Sequence, residues 1–236
     1  MNGSLDSLGG GQALWDGLSA GFSVKGLLLR SAGTTVEIRA PPSGAVDFEH
    51  EGKKMKGVVF NLLEAVVRRD YGDDTWEALL EAAGADGAYS SLGNYPDEEM
   101  MKLVGAASAA LKMPADDVVR WFGRNALPLL AKKHPQFFEA HKSTRPFLLT
   151  LNDVIHSEVR KLYPGADVPV FTYDTSSSEV LLMHYRSPRK LCALAEGFIE
   201  ATAAHFAEEL SLDQPECMKR GDDKCVLRMS FKKLRG

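Results

Sequence analysis

The sequence has no apolar run near the roughly 20 residues of a membrane span, although 44% of it is hydrophobic. It opens MNGSLDSLGGGQALWDG, without the basic stretch and apolar core of a secretory signal. Positive charge is not in excess: 28 Lys and Arg face 32 Asp and Glu, a net charge of -4. A basic face for phosphate backbones is therefore not expected, nor nucleic acid as a partner. Cysteine is scarce. Three in 236 residues fit a reducing compartment better than a disulfide framework, so a cytoplasmic protein off the membrane is expected. Catalytic signatures are missing as well. No histidine pair has HExxH spacing, no nucleophile elbow occurs, and Gly9-Gly10-Gly11 is not followed by the Lys-Ser/Thr of a phosphate loop. Glu98-Glu99 and Asp222-Asp223 fall at a helix start and a turn, where capping explains them. An enzyme is not expected.

What is present divides at about Met55. Residues 1 to 54 are broken by GGGQ, SAG and PPSG. They read as a disordered extension or a non-native start, with a small docking element as the alternative. Within them Thr34 to Arg39 alternates like a short strand. From Gly57 the period is helical. Val58, Leu62, Ala65 and Val66 form a stripe with Val59 and Leu63 beside it, and the helix stops near Gly72. Further helices are expected from Asp73 or Asp74 to Gly84, from Tyr95-Pro96 through Ala107, and from Pro114 to Pro128, which should kink or shorten the last. Pro135 starts a short helical piece.

A long helix is expected from about Pro146 to Tyr163, with Leu151, Ile155, Val159 and Leu162 as its apolar stripe. After Pro164-Gly165 the pattern becomes extended. Strands are expected at 169–173 and 179–185, then a helix from Leu191 to about Leu210, then a strand at 225–231. Helices followed by strands read as α+β. The expected architecture is a helical N-terminal subdomain and a mixed C-terminal one with an antiparallel sheet.

Three motifs stand out from this background. The helix TLNDVIHSEVRKLYP carries His156 at the edge of its stripe; a histidine so placed is either a hydrogen-bonded core residue or a ligand. MKGVVFNLLEAV begins at Met55, and YRSPRK at Tyr185. Tyr185, Ser187 and Arg189 are two apart, so on extended backbone they share a side. They offer two hydroxyls and a guanidinium fork, donors suited to carboxylates, or else a capped strand end with a solvated Arg189. In this order and spacing the motifs resemble the haem-nitric oxide/oxygen binding (H-NOX) family, and the resemblance covers Met55 to about Lys233.

That resemblance implies haem b between the two subdomains, with His156 as the iron ligand, Tyr185, Ser187 and Arg189 on the propionates, and Pro169 pressing the porphyrin out of plane. The family's distal positions fall on Leu63 and Leu194. Both are apolar here, where oxygen-binding members have a tyrosine at the second, so nitric oxide and carbon monoxide are the expected ligands and stable oxygen binding is not. The implied function is a gas sensor without catalysis, read by a separate partner, a histidine kinase or a cyclic-di-GMP enzyme. A cyclase domain is not expected within the chain, since eight residues follow Arg228. Some members also hold zinc through three cysteines and a histidine. Cys192, Cys217 and Cys225 match the cysteines, but Gln214 replaces the histidine. Either zinc with His205 or water completing the tetrahedron, or free thiols, are open readings; a zinc and thiol redox sensor is the alternative function.

Overall fold

A computed structural model describes residues 53–234 and, upstream, only the strands Phe22–Val24 (β1), Leu27–Ser31 (β2) and Thr34–Glu37 (β3), which form an antiparallel sheet in that order. The expected short strand at Thr34 is β3. The character expected of residues 1–54 as a whole falls largely outside the described residues.

The N-terminal subdomain is helical. A short ribbon of Lys54–Lys56 (β4) and Asn94–Pro96 (β5) brackets Gly57–Tyr71 (α1) and Asp73–Ala83 (α2). Asp97–Leu111 (α3) and Ala115–Lys133 (α4) follow. The buried face of α1 is Phe60, Leu63, Val66 and Val67, with Ala65 exposed. The stripe expected through Val58, Leu62 and Ala65 is thus turned. The cause is tertiary: Phe60 stacks on Tyr89 at 4.3 Å between ring centres and meets Tyr95 edge-on at 5.6 Å. α4 also departs from expectation, running through Pro128 to Lys133. Pro128 lies on the exposed face, where the carbonyl it leaves without a partner can turn to water.

The C-terminal subdomain is built on one antiparallel sheet. Its strands are Val170–Asp174 (β6), Val180–Arg186 (β7), Glu208–Glu216 (β8) and Cys225–Lys233 (β9), in the order β6-β7-β9-β8. Leu181, Met183 and Tyr185 alternate inward from β7, and Cys225, Leu227 and Met229 from β9. The helix expected to reach Leu210 is Cys192–His205 (α8). Ala207 has a φ of 52°, which ends the helical path, and Leu210 and Leu212 then alternate as β8. Between the subdomains lie two short helices, Gln136–Glu139 (α5) and Thr144–Leu149 (α6).

α8 joins the halves. Ile199 and Ala201 pack into the sheet's core with Leu127 of α4. On the other side the backbones of α4 and α8 touch at Gly123 and Gly197. A Cβ on Gly197 would stand 2.1 Å from the Arg120 carbonyl oxygen, and one on Gly123 would stand 2.6 Å from that of Leu194. Arg120 reaches Glu196 at 3.1 Å and also pairs with Glu200, which Arg124 holds from its other oxygen at 2.5 Å. These ion pairs are partly exposed and contribute little individually. The glycines set the distance. Gly197→Ala forces backbone apart, and we expect a loss of about 1–3 kcal/mol. The check is a lower urea midpoint with an unchanged slope.

Candidate functional site

The expected long helix around His156 is three pieces: α6, a π-helical turn at Leu151–Ile155, and His156–Leu162 (α7). The Ile155 amide donates to the Thr150 carbonyl five residues back, at 3.3 Å, the longer step that defines the turn. Asn152 supplies a reason for the irregularity. Its side chain donates to the Phe171 carbonyl at 2.6 Å and accepts the Phe171 amide at 3.1 Å. It serves edge strand β6 as a neighbouring strand would. Leu151 and Ile155 pack on the core as expected, but Leu162 is 49% exposed and does not belong to a buried stripe.

His156 follows the turn directly. Its ring lies 5.6 Å from that of Phe171, itself 5.9 Å from Tyr185. The Nδ1 atom is sealed from solvent and has no hydrogen-bond partner of good geometry. Burial, and then the charge of Arg160, push the imidazole pKa down to about 4, with the Pro169 backbone pulling it partly back. At neutral pH the ring is therefore uncharged and keeps a lone pair. Pro169, partly buried, immediately precedes β6.

Tyr185, Ser187 and Arg189 lie together at the end of β7. Tyr185 and Ser187 are buried, while Ser187 and Arg189 sit in the turn beyond the strand. The Tyr185 hydroxyl accepts the Leu191 amide at 3.0 Å, and burial pushes its pKa up to about 12. The guanidinium of Arg189 is not solvated. It holds Asp97 at 2.6 Å and Asp167 at 2.8 Å, and donates to the Lys54 carbonyl at 2.8 Å. Asp97 was missed as a site residue; an acid in the first turn of a helix reads from sequence as a cap. Its Oδ1 is buried without a partner.

Leu63 and Leu194 come together from α1 and α8 in one apolar cluster with Phe122 and Phe198. Leu63 also lines a wholly apolar cavity of about 50 Å³ beside Val67, Leu103 and Phe122.

The three cysteines converge as well. Cys192 Sγ and Cys225 Sγ each lie 3.8 Å from Cys217 Sγ, and all three sulfurs fall within 4.8 Å of one another. His205 does not join them. It sits at the far end of α8, exposed, with its ring 4.9 Å from those of Phe138 and Phe206. Burial pushes the Cys225 thiol up to about 12 and raises that of Cys192.

A sequence model described as Haem-NO-binding matches residues 56–214. The chain belongs to this family. An H-NOX protein of Shewanella oneidensis in its Fe(II)NO ligation state is 32% identical, with a TM-score of 0.71 over 76% of this chain and 100% of that one. An unliganded Fe(II) H-NOX protein of K. algicida shares the fold at 23% identity, with a TM-score of 0.69 over 77% of this chain and 99% of that one. The soluble guanylate cyclase gcy-32 of Caenorhabditis elegans is 26% identical over 157 residues, which are 63% of this chain and 23% of that protein. The chain thus spans about a quarter of the curated relatives it matches. H-NOX domains are haem-based gas-sensor domains, not catalysts, and the α+β fold here is theirs. Among the described residues no helix is long and apolar enough to cross a membrane.

The residues suit haem. A neutral, unpartnered imidazole matches an iron ligand, and a guanidinium that already holds two carboxylates matches a propionate. Two expectations follow for the haem-free H-NOX chain. Unfolded histidine takes a proton near pH 6.5, folded His156 only near 4, so stability present above pH 6.5 is lost as pH falls through that window. Denaturant midpoints measured from pH 7 to 5 should decline, and His156→Leu should flatten the decline. Asn152→Ala strands both Phe171 groups and should cost about 1–3 kcal/mol in the same assay.

Proposed function

We propose that this H-NOX chain senses nitric oxide and carbon monoxide through haem b, with His156 as the iron ligand and Tyr185, Ser187 and Arg189 as the propionate grip. The observation that carries the reading is the half-buried, neutral imidazole of His156, whose Nδ1 is sealed from solvent without a hydrogen bond of good geometry. Haem, when bound, would supply a ferrous iron able to take a diatomic gas. The rest is done by the chain. Leu63 and Leu194 offer no hydrogen-bond donor, and this favours nitric oxide and carbon monoxide over dioxygen, whose bound form gathers negative charge. Arg189 exchanges a protein carboxylate for a propionate without changing the chemistry of its contacts. Pro169, whose backbone lies against His156, is the residue to which this reading gives the pressure on the porphyrin.

His156 and Asn152 tie the same segment in two directions, one to the cofactor and one to β6. With the first tie released, the segment pivots about the second. Val154 and Leu162 are 46% and 49% exposed on this segment, and Val170 beside it is 57% exposed, so the moving element carries an apolar surface for a partner to read. A histidine kinase or a cyclic-di-GMP enzyme in the cytoplasm is the partner this reading calls for.

A second reading has its own support. A tetrahedron of metal–sulfur bonds of about 2.3 Å has sulfur–sulfur edges of about 3.8 Å, the separation of two of the sulfur pairs here. Cys192, Cys217 and Cys225 then hold zinc and add a thiol-based sensor to the same fold.

Absorption spectra of the ferrous protein test the main reading. Nitric oxide and carbon monoxide should each give a new spectrum, and dioxygen no long-lived one. His156→Gly should lose haem unless free imidazole is supplied. A persistent dioxygen complex overturns the distal argument, and undiminished haem in the variant moves the ligand elsewhere.

A further inference from the structure

The π-helical turn before His156 takes its direction from α6, and α6 is tied down by residues far away in sequence. Two successive amides make the longer step through the turn, Ile155 to the Thr150 carbonyl and His156 to the Leu151 carbonyl. Such a turn holds one residue more than an α-helical one, and one residue is about 100° of rotation about the axis. The direction in which His156 points is therefore set where the turn begins, at the end of α6.

Both ends of α6 are bonded to the C-terminal sheet. At its start the Thr144 amide donates to Oε2 of Glu208, a buried carboxylate on β8, at 2.8 Å. At its end the Tyr173 hydroxyl, from β6, donates to the Leu148 carbonyl at 2.6 Å. Thr150 closes the last turn, its hydroxyl and its amide both donating to the Phe147 carbonyl, at 2.7 and 3.0 Å. Thr144, Phe147 and Leu148 are buried, whereas no residue from His156 to Leu162 is. Burial, and then the charge of Asp153, raise the Tyr173 pKa, so its hydroxyl stays a donor at neutral pH. The tyrosine is itself held, since Tyr173 pairs with Met183 and Phe171 with Tyr185 across β6 and β7. Two residues apart, Phe171 and Tyr173 share a face of β6. Phe171 lies beside the imidazole, 5.6 Å between ring centres, and Tyr173 holds the helix ahead of the turn.

We infer that Tyr173 is a positioning residue for His156: with Glu208 it ties α6 to the sheet, which makes the π-helical turn the hinge of the sensing segment and confines its movement to residues beyond Thr150. This rests on the reading of His156 as the iron ligand. With α6 fixed, the imidazole leaves from and returns to one direction. With the Leu148 carbonyl released, α6 turns together with the segment, and that direction is lost.

The test uses the full chain, haem-loaded and haem-free, with amide hydrogen exchange read by mass spectrometry. In both forms residues 145–150 should exchange roughly tenfold more slowly than 156–162. Nitric oxide added to the haem-loaded form should speed exchange in 156–162 and leave 145–150 unchanged. Tyr173→Phe keeps the ring and drops the hydroxyl. It should speed exchange of 145–150 by roughly five- to tenfold, carry the nitric oxide response into α6, and shift the iron–histidine stretching band in resonance Raman spectra of the ferrous protein. Glu208→Ala should loosen α6 from its other end. Tyr89→Phe, which loses a hydroxyl bond to Glu99 in the helical subdomain, should move neither the α6 exchange nor the Raman band, and so separates positioning from general loss of stability. Unchanged α6 exchange and an unchanged band in Tyr173→Phe overturn the proposal. Undiminished haem in His156→Gly overturns the iron-ligand reading instead, and exchange in the haem-free chain still decides where the hinge lies.

Discussion

The two halves of this H-NOX chain are held at one distance by the contact of α4 with α8, where Gly123 and Gly197 let backbone meet backbone. Any side chain there would separate the helices by more than packed cores tolerate. The consequences reach the site. α8 carries Leu194 to meet Leu63 of α1, carries Cys192 to the sulfurs, and presents Ile199 and Ala201 to the sheet. The flanking arginines and glutamates pair across the crossing, but the glycines permit it.

Against that fixed frame the segment bearing His156 is loosely bound. None of its residues from Leu151 to Leu162 is fully buried, and its hydrogen-bond ladder is interrupted by a π-helical turn. Its registered attachment is the Asn152 pair with Phe171. A neutral imidazole adds no charge to oppose burial. A segment with few buried contacts and one strong cross-link lies at the low-stability end of a structure, where moving parts are found. The sensor reading needs that property of this segment and of no other.

Much of the fold was legible because long periodic helices bury one face whatever their neighbours. α2, β6, β7 and β9 came within a residue or two of expectation. The misses share a cause, which is that the deciding contact comes from elsewhere in the chain. Phe60 turns α1 toward rings of a later loop. Asn152 breaks a helix by pairing with a strand still ahead in sequence. β8 hid behind a helical pattern because Phe206 and Leu210 suit either period, and only β9 decides between them. The candidate site was proposed from motif order, since His156, Tyr185, Ser187 and Arg189 sit in recognisable company. Asp97 was not, because nothing local distinguishes a carboxylate that caps a helix from one that holds a guanidinium 92 residues away.

The candidate haem site and the cysteine cluster are not independent pieces of this structure. Tyr185 is paired across the sheet with Cys225, and its hydroxyl accepts the amide of Leu191, the residue before Cys192. One tyrosine thus touches both ends of the cluster and the start of the helix that carries Leu194. A change that tightens the sulfurs pulls on β9 and on the first turn of α8 together, and Tyr185 lies between them. Because Gly197 pins α8 against α4 one and a half turns further on, the helix cannot simply slide to absorb the pull. The strain must appear at its first turn, where Leu194 packs on the apolar cluster of Leu63 and Phe122 and Leu191 meets the tyrosine. The thiols therefore lie next to residues on both sides of the candidate haem site, with Tyr185 as the shared neighbour.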